Sequence, residues 1–157
     1  MNEQRLASYG ALILRISLGV MFLVHSLYLK LVVFTLPGTV KFYESLGLPG
    51  WGAHATIAVE VIGGLLLITG YRTRYAAIAT LPVLLGATWV HAKNGWLFTN
   101  TGGGWEYPVF LAIAVIVQAL LGDGAVALSP RSTTAPARAA ARAGRAPGLT
   151  PHPSPRS

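Results

Sequence analysis

Four stretches of this chain are apolar enough, and about long enough, to cross a bilayer: residues 9–36, 51–70, 74–92 and 105–121. A hydrocarbon core of about 30 Å takes roughly 20 apolar residues when the chain is helical. A helix satisfies its backbone N–H and C=O groups within its own segment, which lipid demands. The third and fourth runs are short but sufficient. The pattern predicts an all-α fold, an integral membrane four-helix bundle over residues 1–128. The first run is too long for a secretory signal peptide, and no clear small-x-small cleavage site follows it.

Charge agrees with that reading. Only 11% of the residues are charged, against about 25% in a soluble domain. The net charge of +7 does not describe a basic face: Arg131, Arg138, Arg142, Arg145 and Arg156 all follow Ser129. A nucleic-acid module needs its basic patch on a folded surface, so no nucleic acid is expected as a partner. Membrane lipid is. The chain has no cysteine, which removes disulfides, thiolate metal sites and dithiol redox chemistry. Redox work through a quinone or a bound metal stays open.

The breaks between runs are marked by Pro37-Gly38, Leu48-Pro49-Gly50, the basic turn Tyr71-Arg72-Thr73-Arg74 and the glycine-rich loop 94–104. Pro108 falls in the first turn of the fourth helix, where a missing N–H is harmless, and Pro82 falls inside the third, where a kink is expected. Arg5, Arg72, Arg74 and the late arginines group on one side, and Lys30, Lys41 and Lys93 on the other. The positive-inside rule then puts both termini in the cytoplasm. Trp51, Trp96 and Trp105 mark the outer boundary, and Tyr9, Tyr71 and Tyr75 the inner one. Residues 129–157 have no acid, many prolines and few bulky apolar side chains. They are expected to be a disordered basic cytoplasmic tail, able to touch anionic lipid at about 1 kcal/mol per nearby arginine.

Ionisable residues inside a membrane are costly and usually face the bundle interior or a cavity. His25 lies about 12 Å from the outer end of the first helix, at 1.5 Å per residue. Glu60 lies at similar depth on the second, His91 closes the third, and Glu106 opens the fourth. Glu60 shares a helix face with Thr56 and Gly64 at i, i+4 spacing, and these small residues let a neighbouring helix approach. Glu60 is therefore expected to face inward and to pair with His25. Lys30 is five residues from His25, about 140° around an α-helix; it shares no narrow face with His25 unless the helix bends, and it can snorkel to headgroups. Arg15 can do the same at the inner side. Each of these polar residues also has a purely structural use. No two of the histidines and carboxylates sit at i, i+3 or i, i+4 on one helix, so no metal site is expected.

Four stretches carry a family resemblance. RISLGVMFLVHSLYLKL, LGLPGWGAHATIAVEVIGGLLLITGYRTRYAA, HAKNGWLFTNTGGGWEYPVFL and GDGAVAL resemble the helices and glycine-rich closing segment of the DoxX family. The third stretch is the most specific. The resemblance covers about residues 11–128. Ser26 stands where the family commonly has glycine, Lys30 comes one residue later than usual, and Ser129 stands where an aspartate is common. The resemblance implies a four-helix inner-membrane protein related to a subunit of thiosulfate:quinone oxidoreductase, with ties to membrane redox complexes and oxidative-stress defence.

Two functional expectations follow. In the first, the chain is the membrane subunit of a quinone-linked redox system. Glu60, His25, His91 and Glu106 form a proton- and quinone-handling cluster, and Arg15 and Lys30 bind the same cofactor by balancing charge. A soluble oxidoreductase subunit would supply electrons. In the second, the chain is a non-catalytic anchor or assembly partner for such an enzyme. A small transporter ranks last, because no inverted repeat is visible. Homo-oligomerisation stays open.

Overall fold

In the computed structural model, residues 2–129 are described. They form five α-helices and no strand is present among them. Helix α1 spans Glu3–Leu23, and its winding then changes to a π-helix over Val24–Val33. A short α2 (Leu36–Ser45) follows. Then come α3 (Trp51–Thr69), α4 (Thr73–His91) with one 3-10 turn after it, and α5 (Glu106–Leu121).

Three of these are long and apolar enough to span a bilayer: Glu3–Val33 taken as one rod, Trp51–Thr69 and the rod Thr73–Asn94. Helix α5 is apolar but has 16 residues, about 24 Å at 1.5 Å per residue. Many large side chains of the spans face outward, among them Ile13, Ile62, Ile78, Phe110 and Leu120. Exposed apolar faces on long apolar helices suit lipid and not water. The interior holds Leu18, Phe22, Leu67, Ala76, Ala77, Leu84, Ala112 and Val115.

The helices start and stop for local reasons. Asn2 caps α1 by accepting from the Arg5 N–H at 3.1 Å, so the helix begins several residues before the apolar run does. Helix α2 has no counterpart in the apolar runs. Its Pro37 sits in the first turn, and Thr35 accepts from the Gly38 N–H at 3.3 Å. The Pro37-Gly38 pair thus starts a helix rather than only ending one. Thr35 has φ 62 and ψ 154, a backbone region that residues other than glycine rarely enter.

Two features lock the bundle. A Cβ on Gly64 would lie 2.9 Å from the Gly19 carbonyl oxygen, and one on Gly19 would lie 2.8 Å from that of Gly64. Helices α1 and α3 therefore meet backbone to backbone, and a side chain at either glycine would force them apart. At the other lock, residues 123–129 fold back on the near ends of α1 and α3. The Ala125 amide donates to Ser8 at 3.0 Å, Leu128 to Thr69 at 3.1 Å and Ser129 to Gly70 at 3.2 Å. Arg5, Arg72, Arg74 and Ser129 so gather at one end of the bundle, while Lys30, Lys41 and Lys93 belong to the other. The basic tail expected from residue 129 lies outside the described residues apart from Ser129.

Candidate functional site

The π-helix decides the site. Its hydrogen bonds run between residues five apart, and such turns are rare and often functional. The closing bond of this stretch is of that kind, from the Phe34 N–H to the Leu29 carbonyl at 2.8 Å. The wider winding brings residues four and five apart roughly one turn apart on the same side. Ser26 and Lys30, four apart and on one side under either winding, reach one atom together. The Ser26 hydroxyl and the Lys30 ammonium both donate to Glu60 Oε2 on α3.

Glu60 is 4% exposed and Ser26 fully buried, whereas the Lys30 side chain keeps 18% of its surface. A buried carboxylate is tolerated when a cation and a further donor satisfy it. The expected partner, His25, does not make this contact. Its Nδ1 lies 3.0 Å from the Met21 carbonyl, one turn back on its own helix, and its ring stacks on Tyr107 with centroids 6.2 Å apart. Nor does Lys30 depend on headgroups. The 140° separation assumed an α-helix, and the chain is not one there.

A cavity of about 870 Å³ opens beside this group. His25, Lys30, Glu60 and His91 all line it, with Tyr43, Thr56 and a largely apolar wall that includes Phe22, Phe34, Leu84 and Leu111. That volume suits a ligand of cofactor size, and a mostly apolar wall with a few convergent polar groups is the usual make-up of such sites. His91 reaches the cavity from the end of α4. Its Nδ1 lies 3.0 and 3.1 Å from the carbonyls of Gly102 and Gly103, which Asn94 also holds. The glycine cluster of the sequence is thus the seat of His91.

Helix α2 covers one side of the cavity. Thr39 donates to the Lys30 carbonyl at 2.9 Å, and Tyr43 donates to Thr56 at 2.8 Å. Burial pushes the Tyr43 phenol above its ordinary range; the Thr56 hydrogen bond opposes this and the Glu60 charge adds to it. Tyr43 and Thr56 join the site through α2, the element that the apolar runs do not mark.

The remaining two candidates lie elsewhere. Glu106 Oε1 accepts from the Phe98 N–H at 3.1 Å and holds the 95–105 loop. It does not line the cavity. Arg15 is about three turns from Ser26 along the first helix and 1% exposed. Its guanidinium donates to the carbonyls of Asp123 (2.9 Å), Val126 (3.0 Å) and Ala125 (3.4 Å). The Asp123 carboxylate in turn accepts from the Thr73 N–H at the start of α4. Arg15 therefore joins α1 to the segment after α5. Among the described residues, no group of three His, Asp or Glu side chains is placed to share a metal ion.

Comparison with known proteins agrees with the architecture. The DoxX family profile matches residues 10–93, which include most of α1, all of α2, α3 and α4, and the four polar cavity residues His25, Lys30, Glu60 and His91. A Bacillus subtilis (strain 168) protein named "Putative oxidoreductase CatD" is 34% identical over 121 residues, 77% of this chain and 85% of that protein. No solved structure matches the chain. With helices fit to span a membrane several times and a profile match over more than half its length, the chain belongs to the DoxX family.

Proposed function

We propose that this chain is the membrane subunit of a quinone-linked redox system in the cell's plasma (inner) membrane. The observation that carries the reading is the cavity. It puts a satisfied buried carboxylate, an ammonium and two imidazoles on one largely apolar space in the same half of the bundle. Quinone chemistry couples electrons to protons. A quinone ring needs an apolar space, and its oxygens need groups that donate, accept and pass protons. The oxidoreductase name of the Bacillus relative supports a redox role.

His25, His91, Lys30 and Glu60 are the residues this reading assigns to the quinone, with Tyr43 and Thr56 beside them. Arg15 and Glu106 serve the scaffold. When bound, a quinone supplies the electron-accepting ring; the chain's own groups seat it and exchange protons at its oxygens. Electrons come from a partner subunit. The positive end with Arg5, Arg72 and Arg74 faces the cytoplasm under the positive-inside rule, which places the cavity toward the outer half.

The competing reading is a non-catalytic anchor. One observation favours it: Lys30, Ser26 and Glu60 satisfy one another and tie the first helix to α3. Titration of the nanodisc-embedded protein with a short-chain benzoquinone, followed by tryptophan and tyrosine fluorescence, separates the two. The redox reading expects saturable binding that Glu60→Gln and His25→Ala weaken at least tenfold. The anchor reading expects no saturable binding in any of the three proteins, and loss of a soluble partner on purification of the variants.

A further inference from the structure

Both histidines on the cavity have the same half of their ring fixed by backbone. His25 Nδ1 faces the Met21 carbonyl, and His91 Nδ1 faces the carbonyls of Gly102 and Gly103. A carbonyl oxygen only accepts, so each Nδ1 carries the hydrogen. In the neutral ring, Nε2 is then the bare nitrogen and an acceptor. Among the described residues neither Nε2 has a protein partner, and neither is among the buried unpartnered atoms.

Glu60 adds a third acceptor. Ser26 and Lys30 both take Oε2, which leaves Oε1 without a partner among the described residues and not sealed from the cavity. The donors left for a ligand are the remaining N–H groups of Lys30 and the Thr56 hydroxyl, whose oxygen already accepts from Tyr43.

We infer that the cavity takes the two-hydroxyl form of a quinone couple, the aromatic quinol, in preference to the dicarbonyl form. A quinol hydroxyl can donate to an imidazole Nε2 or a carboxylate oxygen and still accept from Lys30 or Thr56. A quinone carbonyl can only accept, so it uses Lys30 and Thr56 and faces the three acceptors unpaired. Unpaired polar groups in a desolvated pocket cost more than the hydrogen bonds are worth when made. The inference rests on the quinone reading above and adds which redox form is held. Preference for the reduced form raises the bound couple's midpoint potential, by about 30 mV for each tenfold at two electrons.

The test uses the full chain in nanodiscs at neutral pH under anaerobic conditions, with tetramethyl-1,4-benzoquinone and its 1,4-diol as probes. Dissociation constants of both forms are measured for wild type, His25→Phe and His91→Asn. Phenylalanine keeps the stacking on Tyr107 and removes Nε2. Asparagine can still donate to the Gly102 and Gly103 carbonyls and removes Nε2. The expected result is a diol bound at least tenfold more tightly than the quinone. Each variant should lose about threefold or more of that ratio by weakening the diol alone. Equal affinity, or a tighter quinone, overturns the inference while leaving the quinone reading standing. Failure of both forms to bind a folded wild type overturns that reading and this inference together. A diol preference unchanged in both folded variants also overturns it, since the acceptors would not be the cause.

Discussion

Lys30 and Glu60, thirty positions apart, form an ion pair that joins the π-helical end of the first helix to α3. Ser26 and Lys30, four residues apart, share one side of the first helix, and one carboxylate oxygen collects both donors; the wider winding instead brings His25, five residues from Lys30, round to the same cavity.

Breaking one partner of this pair leaves the other as a buried charge. Lys30→Met and Glu60→Gln are each expected to destabilise the protein by about 3 kcal/mol. The double variant should be less destabilised than the sum of the two, because neither charge is then stranded. Chemical unfolding in mild detergent, followed by tryptophan fluorescence, gives the cycle. Additive effects would mean that the pair is not energetically coupled.

Arg15 holds residues 123–126 through three backbone carbonyls. A Cβ on Gly70 would fall 1.7 Å from Arg15 Nη1, and Gly70 itself has φ +71 as the residue that caps the end of α3. Arg15→Met and Gly70→Ala should therefore release the same segment, each at about 2 kcal/mol or more. Hydrogen exchange would report it as faster exchange at the Ala125, Leu128 and Ser129 amides, with little change at the Lys30–Glu60 end.

Thr35 separates two effects that usually travel together. Its side chain caps α2, and its backbone is strained. Thr35→Gly removes the strain and, as glycine is a fair cap, is expected to stabilise by about 1 kcal/mol. Thr35→Ala removes the cap and keeps the strain, so it should destabilise by about 1 kcal/mol. Opposite shifts in melting temperature are the expected pattern.

Gly64→Val places a branched side chain against the Gly19 carbonyl and Leu23. Overpacking of this kind costs about 1–3 kcal/mol. It should also weaken ligand binding, because the π-helix that continues α1 carries Lys30 and α3 carries Glu60. Gly10, where a Cβ meets nothing within 4 Å, is the control: Gly10→Ala should be neutral or slightly stabilising.

Much of this arrangement is legible in the residues. The apolar runs locate the spans, and the basic residues separate to one end of the bundle as their loops suggest. Glu60 faces inward, and the small residues on its face do permit a close helix contact, at Gly64. The partner of Glu60 is not legible, because Ser26 and Lys30 share a face by spacing but no local pattern says that this face, rather than that of His25, turns to α3. Helix α2 is missed for a related reason. Pro37-Gly38 looks like a terminator, and only Thr35, a capping residue two positions ahead of the proline, signals a new helix start. The anchoring of Arg15 depends on carbonyls more than a hundred positions away, which no local pattern reveals. Glu106 and His91 look alike from their position at helix ends. Only the fold of the glycine loop turns His91 to the cavity and Glu106 to the Phe98 amide.

The central claim is that the cavity beside Glu60 holds a quinone. Its most direct measurement is solvent extraction of the protein purified from its native membrane, with the quinone content quantified per chain and compared with Glu60→Gln. Close to one quinone per chain is expected in the wild type, with at least a tenfold loss in a variant that stays folded. A folded wild type without quinone, or a variant that retains it in full, would contradict the claim.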